Sequence, residues 1–580
     1  MSRTLLSGNE AIARGAYEAG LHFAAAYPGT PSTEILENIS KYKEIKCEWA
    51  VNEKTSLEIA AGVSFAGGRA LVAMKHVGLN VAADPLFSLS YIGATGGLVI
   101  VSADDPGLHS SQNEQDNRHY GRSAKMPVLE PSDSQEAKDF VGIALDISEQ
   151  FDTPVLLRIT TRIAHSKTIV ELKERKEVPI KGYEKDIKKR IILPAHAKPR
   201  HYIVEKRLID LAHFAETFPY NRIEWGSKKV GFIASGISYQ YVKEVFPDAS
   251  VLKISMSYPL PFGLIEQFAN EVEEVYVVEE NDPFIEEQIK AHGIRVKGKE
   301  IVPIVDELDP TRLSVSFDID VPYLAPEDKP ELPPRPPALC PGCPHTGVFY
   351  TLSKHKYVVT GDIGCYTLGA LPPLNAMDTC VCMGASVGNA FGLEIALGDE
   401  IRKKTVAVIG DSTFFHSGIT PLLDLVYNKG KTTVVVLDNR ITAMTGHQEN
   451  PGTGKTLMGE ETKTILPEDI ARACGVEHVY VVDPYNLEEL EEVIPREVER
   501  DAPSVIISRR PCILLKKAER RKPLAVDAEK CIGCKLCLKL GCPAISMKDD
   551  KAVINELFCT GCTLCAQVCP KDAIPVEGGE

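Results

Sequence analysis

Between Cys531 and Cys569 the chain states one pattern twice, a C-x2-C-x2-C run followed by a cysteine and a proline. Cys531, Cys534, Cys537 and Cys542-Pro543 form the first copy, and Cys559, Cys562, Cys565 and Cys569-Pro570 the second. Thiols set this close read as ligands of a metal or redox centre and constrain the segment to loops around it. The full chain of 580 residues holds 16 cysteines, which points the same way, because the interior of a cell opposes structural disulfides. The opening stretch MSRTLLSGNEAIARGAYEAG reads as a helix of mixed polarity without the apolar core of a secretory signal, so a cytoplasmic protein is expected. No apolar run reaches the length needed to cross a bilayer. A formal charge of −15 disfavours nucleic acid, which needs a basic footprint, but leaves room for a local basic patch that meets an acidic carrier protein.

A redox segment of this kind conducts electrons and needs a source for them. The chain is several domains long, since single cores stop growing at about 250–300 residues. RALVAMK at 69–75, GLVIVSAD at 97–104 and TPVLLRITTR at 153–162 are short apolar runs that alternate with helical stretches, which is α/β patterning. A charged, poorly periodic connection is expected from about 166 to 227. KKVGFIASG, SVLKIS and EVYVVEEN then read as buried parallel strands of a second α/β unit, ending near 325. APEDKPELPPRPPA reads as an extended linker. A third α/β unit carries KTVAVIGDS, KTTVVVLDN, HVYVVDP and APSVIISRR as strands and ends in the basic segment LKKAERRKP at 515–523.

The C-terminal repeat resembles the bacterial two-cluster ferredoxin. In that arrangement three thiolates on a tight loop hold three irons of a cube, and the fourth iron takes the distant cysteine of the other motif. The resemblance therefore groups Cys531, Cys534 and Cys537 with Cys569, and Cys559, Cys562 and Cys565 with Cys542, implying two [4Fe-4S] clusters. The first copy carries one residue more before its last cysteine, in LKLG. Zinc also suits C-x2-C pairs, and the doubled four-cysteine pattern with proline argues against it.

The source of electrons is read at GDSTFFHSG from Gly410. A strand ending in Gly-Asp, a helix, and a second strand ending in Asp438-Asn439 resemble the thiamine diphosphate motif, whose family form is GDG followed by NN. Here Ser412 stands in place of the second glycine. Asp411 and Asn439 offer hard oxygen ligands to Mg2+, which bridges the two phosphates. The resemblance adds the backbone carbonyl of Ile441. Glycine at 410 permits close approach, and a helix N-terminus favours the anion. Upstream, WAVNEKTSLEIAAGVSFAGG at 49–68 resembles the pyrimidine-side helix of thiamine enzymes, with Glu53 at the position that meets the aminopyrimidine. A carboxyl held there shares a proton with N1′ of the cofactor. Glu58 is expected to be an ordinary helix-face acid.

With these residues in view the chain resembles the 2-oxoacid:ferredoxin oxidoreductase family from end to end, most closely the branch acting on aryl 2-oxo acids such as indolepyruvate. The fold class implied is α/β: thiamine diphosphate-binding α/β domains plus a C-terminal two-cluster ferredoxin-like α+β domain. The implied boundaries are 1–175 for a pyrimidine-binding domain, 195–325 for one like the transketolase C-terminal domain, 335–520 for a diphosphate-binding domain and 524–580 for the ferredoxin-like domain. AYPGTPSTEI at 26–35 looks like the family's substrate loop and puts Thr30 near the oxo acid. Arg122, in HYGRSAKMPV, falls at the carboxylate-binding arginine, with Arg118 its neighbour in sequence; a guanidinium is the natural fork for a carboxylate. His416 is a further candidate for lining the site. Cys340, Cys343, Cys365 and Cys512 resemble the ligands of a third [4Fe-4S] cluster beside the thiamine, leaving Cys47, Cys380, Cys382 and Cys474 as expected buried thiols. The resemblance implies oxidative decarboxylation with coenzyme A and ferredoxin as acceptor, a smaller beta subunit as partner, and a dimer of such heterodimers. Pyruvate or a branched-chain oxo acid as substrate, and a non-catalytic electron-transfer subunit, are the alternatives.

Overall fold

The computed structural model describes residues 2–319, 332–333, 335–516 and 518–576. It divides into two compact units, Met1–Pro330 and Glu331–Glu580. The expected proline-rich linker at 325–338 lies largely outside the described residues.

In the first unit a seven-stranded sheet has the order Met256–Tyr258, Val128–Leu129, Val155–Thr160, Leu98–Asp104, Ala70–Lys75, Phe23–Ala26, Lys46–Trp49. All its pairings are parallel except that of Met256–Tyr258 with Val128–Leu129. The three apolar runs picked out in the sequence are its central strands, buried on both faces, as parallel strands covered by helices must be. A four-stranded sheet follows, ordered Glu274–Val278, Ser227–Ser235, Ala249–Ile254, Arg222–Glu224, with only the last strand antiparallel. The two sheets share one apolar core that runs from Phe23 and Val72 to Ile233 and Val277.

The segment 166–227 is more ordered than its composition suggests. Lys167–Glu171 pairs with Arg3–Ser7, and Pro194–Thr217 forms a 24-residue helix. That helix buries only Val204, Arg207, Leu211 and Ala215, so its apolar stripe is too thin to register as a helical period. The Arg207 guanidinium donates to the carbonyls of Ser90 and Asp152 and does part of the holding.

The second unit is built on a fully parallel six-stranded sheet, ordered Thr379–Cys380, Val358–Gly361, Thr405–Gly410, Thr433–Asp438, Ser504–Arg509, His478–Val482. The first two strands carry no long apolar run, and sequence patterning passes over them. The C-terminal segment adds an antiparallel pair, Ile545–Lys548 with Lys551–Ile554, a 3-10 turn at Leu536–Leu540 and a short helix at Leu564–Gln567. Its residues Leu524, Leu540, Ile545, Ile554, Leu564 and Ile574 belong to the same core as Val406, Val408, Val435 and Ile506 of the sheet. The ferredoxin-like segment is packed onto the sheet rather than suspended from the basic stretch before it. Among the described residues no helix is long and apolar enough to cross a membrane.

Candidate functional site

Four strands of the second sheet end at one edge, and each hands over to a residue singled out above. Val358–Gly361 leads to Cys365, Thr405–Gly410 to Asp411, Thr433–Asp438 to Asn439 and Ile441, and Ser504–Arg509 to Cys512. Ligands of open parallel sheets collect at this carboxyl edge.

Asp411 is buried, and its Oδ1 accepts the Ser412 amide at 2.8 Å while Oδ2 has no hydrogen-bond partner. Burial first, then the neighbouring Asp438, pushes the Asp411 carboxyl up to about 8. A buried carboxylate oxygen left bare costs several kcal/mol unless a cation takes it. A hard divalent cation is the natural partner for this oxygen. Asn439 accepts the Ile441 amide at 3.2 Å through Oδ1 and lies with Nδ2 3.5 Å from His345 Nε2. Burial holds His345 down to about 4, so this imidazole is neutral. The Thr442 hydroxyl donates to Ser412 Oγ at 2.9 Å, which ties the loop after the third strand to the one after the second. Gly410 has no room for a side chain: a Cβ there would lie 2.7 Å from the Tyr366 ring. His416 is buried in a π-type turn, Phe414–Gly418, with Nδ1 2.6 Å from the Ser417 hydroxyl.

The cysteines fall into three groups. Cys343 is buried, and the thiols of Cys340, Cys365 and Cys512 raise its proton affinity after burial itself. Cys365 is pushed up to about 11 by burial and then by Cys512 and Cys340. Four thiols gathered in one place, with burial raising Cys343, Cys365 and Cys512, suit a cationic iron centre that stabilises the thiolates together. In the ferredoxin-like segment one cavity is lined by Cys542, Cys559, Cys562 and Cys565, together with Pro341 and Gly342. A second is lined by Cys531, Cys534, Cys537 and Cys569. The additional residue in the first motif is absorbed by the Leu536–Leu540 turn, which ends on Gly541 at φ +68°. Cys534 is the one exposed thiol of these twelve.

In the first unit Glu53 opens the helix Glu53–Phe65, whose N-cap Asn52 accepts the Thr55 amide at 2.8 Å. Its carboxylate is buried and abuts Gly78, where a Cβ would lie 2.7 Å from Glu53 Oε1. Glu58 is solvent-exposed and paired with Lys54. Thr30 lies in the turn after Phe23–Ala26, where the Asn9 amide donates to the Pro31 carbonyl at 2.7 Å. The two arginines separate sharply. Arg118 is fully buried and committed to Asp116 at 2.9 Å and Glu279 at 2.6 Å, whereas Arg122, one turn along the same helix, is exposed. Thr30, Glu53 and Arg122 each follow the carboxyl end of a parallel strand of the seven-stranded sheet.

Two expectations are overturned. Cys380 and Cys382 are exposed, not buried, because they sit on the short edge strand Thr379–Cys380 and just beyond it. Cys474 is only half-buried, while Cys47 is buried and pushed up to about 12. Two residues escaped sequence reasoning. Asp362 accepts the amides of Ile363 at 2.9 Å, Gly384 at 2.9 Å and Ser386 at 3.2 Å, and burial raises it to about 6. It stands in GDIG, the same strand-end Gly-Asp grammar as GDST, and that repetition was the available signal. His345 was marked only by its place directly after the Cys343-Pro344 pair.

The fold and these sites match three family descriptions. Residues 14–215 match "Pyruvate flavodoxin/ferredoxin oxidoreductase, thiamine diP-bdg", residues 362–508 match "Thiamine pyrophosphate enzyme, C-terminal TPP binding domain", and residues 524–570 match "4Fe-4S dicluster domain". The class so defined is a thiamine diphosphate-dependent oxidoreductase joined to an iron–sulfur module. The indolepyruvate oxidoreductase subunit IorA of Archaeoglobus fulgidus is 43% identical over 99% of this chain and 97% of its own length. That of Pyrococcus horikoshii is 43% identical over 100% and 98%. The 2-oxoglutarate synthase subunit KorA of Archaeoglobus fulgidus is 27% identical over 51% of this chain and 94% of its own. The chain belongs to the indolepyruvate oxidoreductase IorA family.

Proposed function

We propose that this chain carries out the oxidative decarboxylation of an aryl 2-oxo acid, indolepyruvate in the first place, passing the electrons to ferredoxin and the acyl group to coenzyme A. The observation that carries the reading is the shared sheet edge: Asp411, with a buried bare oxygen, stands beside the four-thiol group of Cys340, Cys343, Cys365 and Cys512. A site for a phosphate-bridging cation next to a site for iron is what a reaction that both decarboxylates and exports electrons requires.

Thiamine diphosphate, when bound, supplies the carbon nucleophile and the electron sink for loss of carbon dioxide. The chain's own residues do the rest. Asp411, Asn439 and the Ile441 carbonyl would hold Mg2+ and with it the diphosphate, beside Gly410 and Ser412. Glu53 would face the aminopyrimidine and hold a proton there. Thr30 and Arg122 receive the oxo acid, Arg122 at its carboxylate, a role open to it because Arg118 is spent on internal pairing. Cys340, Cys343, Cys365 and Cys512 would hold one iron–sulfur cluster; Cys542, Cys559, Cys562 and Cys565, in a pocket whose wall includes Pro341 and Gly342 of the first group's loop, would hold a second. Cys531, Cys534, Cys537 and Cys569, where Cys534 meets solvent, would hold a third, and clusters there would supply one-electron transfer toward ferredoxin. The subunit designation of the relatives supports a partner subunit; a smaller beta chain, a dimer of heterodimers and a reducing, cytoplasmic setting complete the proposal.

Anaerobic copurification with the partner subunit, followed by turnover of indolepyruvate, phenylpyruvate and pyruvate with ferredoxin or viologen as acceptor, tests the proposal. Indolepyruvate is expected to lead the panel. Preference for pyruvate overturns the substrate assignment, and absence of turnover with every oxo acid despite bound cofactor overturns the enzyme reading.

A further inference from the structure

The loop between Cys340 and Cys343 packs against the ferredoxin-like segment, and a tyrosine outside every motif hydrogen-bonds that loop. Gly342 has φ +71°, and a Cβ on it would lie 2.1 Å from the Thr560 hydroxyl, so the two cysteine loops are in direct contact with no space between them. The Tyr485 hydroxyl donates to the Gly342 carbonyl. Burial above all, with the Cys562 thiol next, raises the proton affinity of the phenol. The residue is held through its backbone and its ring. Gln567, between Cys565 and Cys569, donates to the Tyr485 carbonyl at 2.7 Å and accepts the Leu487 amide at 3.0 Å. The Arg510 guanidinium, two residues before Cys512, lies 4.0 Å over the ring and is anchored on Asp483 at 2.7 Å.

We propose that Tyr485 is the positioning residue for the first handover of electrons, from the Cys340, Cys343, Cys365 and Cys512 group to the Cys542, Cys559, Cys562 and Cys565 group. Its phenol holds the Gly342 carbonyl with one hydrogen bond where the two loops meet, with Arg510 against the ring and Gln567 on the backbone. No bond is made or broken in this role; a single electron crosses, and the phenol keeps its proton. The proposal rests on the reading of the first group as a cluster site.

The test uses the complete, cluster-loaded complex with its partner, comparing Tyr485→Phe and Tyr485→Leu with the unaltered chain. Iron content is measured first. Three clusters' worth in the unaltered chain is expected; two clusters' worth overturns the underlying reading of the first group and leaves the tyrosine with no handover to position. Given three, the Phe variant is expected to keep all its iron, to show weakened magnetic interaction between the two reduced clusters by electron paramagnetic resonance, and to slow reduction of the second cluster by roughly three- to tenfold, the scale on which loss of one hydrogen bond acts. The Leu variant, lacking the ring, is expected to be slower still. Unchanged magnetic interaction and unchanged handover rate in the Phe variant, at full iron content, overturn the role given to Tyr485, whatever the Leu variant does.

Discussion

At single residues the chemistry divides between groups that handle protons and groups that hold charge. Glu53→Gln keeps the shape of the buried side chain at the start of its helix and removes its exchangeable proton. Turnover is expected to fall by about 10² or more, the usual scale for acid–base groups, with thiamine diphosphate and iron still bound. Steady-state rates together with cofactor quantification check this, and near-normal turnover would remove Glu53 from the mechanism. Asp411→Ala is expected to behave differently, losing Mg2+ and cofactor together, because the oxygen that has no protein partner is the one removed; isothermal titration with the cofactor and Mg2+ reads it directly. Cys512→Ala should lower iron by one cluster and slow ferredoxin reduction, whereas Cys474→Ala, outside the three groups, should change neither.

Among the elements, the seven-stranded and four-stranded sheets of the first unit are joined by a buried charge network as well as by apolar packing. Arg158 reaches Asp104 at 2.8 Å, Glu130 at 2.6 Å and Asn281 at 2.7 Å, and Arg118 adds Asp116 and Glu279. Removing one member strands the others, so Arg118→Ala is expected to cost about 3–5 kcal/mol in chemical denaturation. Glu280 lies beside this network with its carboxyl raised by burial to about 7. Between the ordinary carboxylate range and pH 7 the folded chain then binds more protons here than the unfolded chain, so this residue's contribution to stability declines as pH rises through that window, by at most about 1.4 kcal/mol per unit. Glu280→Gln should flatten the decline relative to the unaltered chain; identical pH slopes would contradict it. None of this was legible in the sequence. The central strands of the seven-stranded sheet and four strands of the six-stranded sheet announced themselves as apolar runs, and the ligands as strand-end Gly-Asp pairs and cysteine spacings, because those signals are local. The network escaped because Arg118 and Glu279 are far apart in sequence and look like any surface charges until the fold closes over them. That Arg118 is a buried strut and Arg122 an exposed guanidinium one helical turn on was hidden for the same reason, since burial is decided by elements more than a hundred residues away.

For the whole molecule the main departure from the sequence reading is that the electron-conducting segment is structural as well. Leu540, Ile545, Ile554 and Ile574 complete a core begun by Val406 and Ile506. Deleting residues 524–580 is therefore expected to lower the melting temperature of the second unit, or to leave it insoluble, and not merely to disconnect an otherwise stable domain; scanning calorimetry of the truncated and full chains checks this. The exposed position of Cys534 has a consequence for the chain's durability. Oxidants arrive from solvent, and thiol reactivity follows access, so damage in air is expected to begin at Cys534, in the cavity that Pro341 and Gly342 do not line. A chain so damaged keeps its thiamine-side residues intact and ages from that exposed cysteine inward.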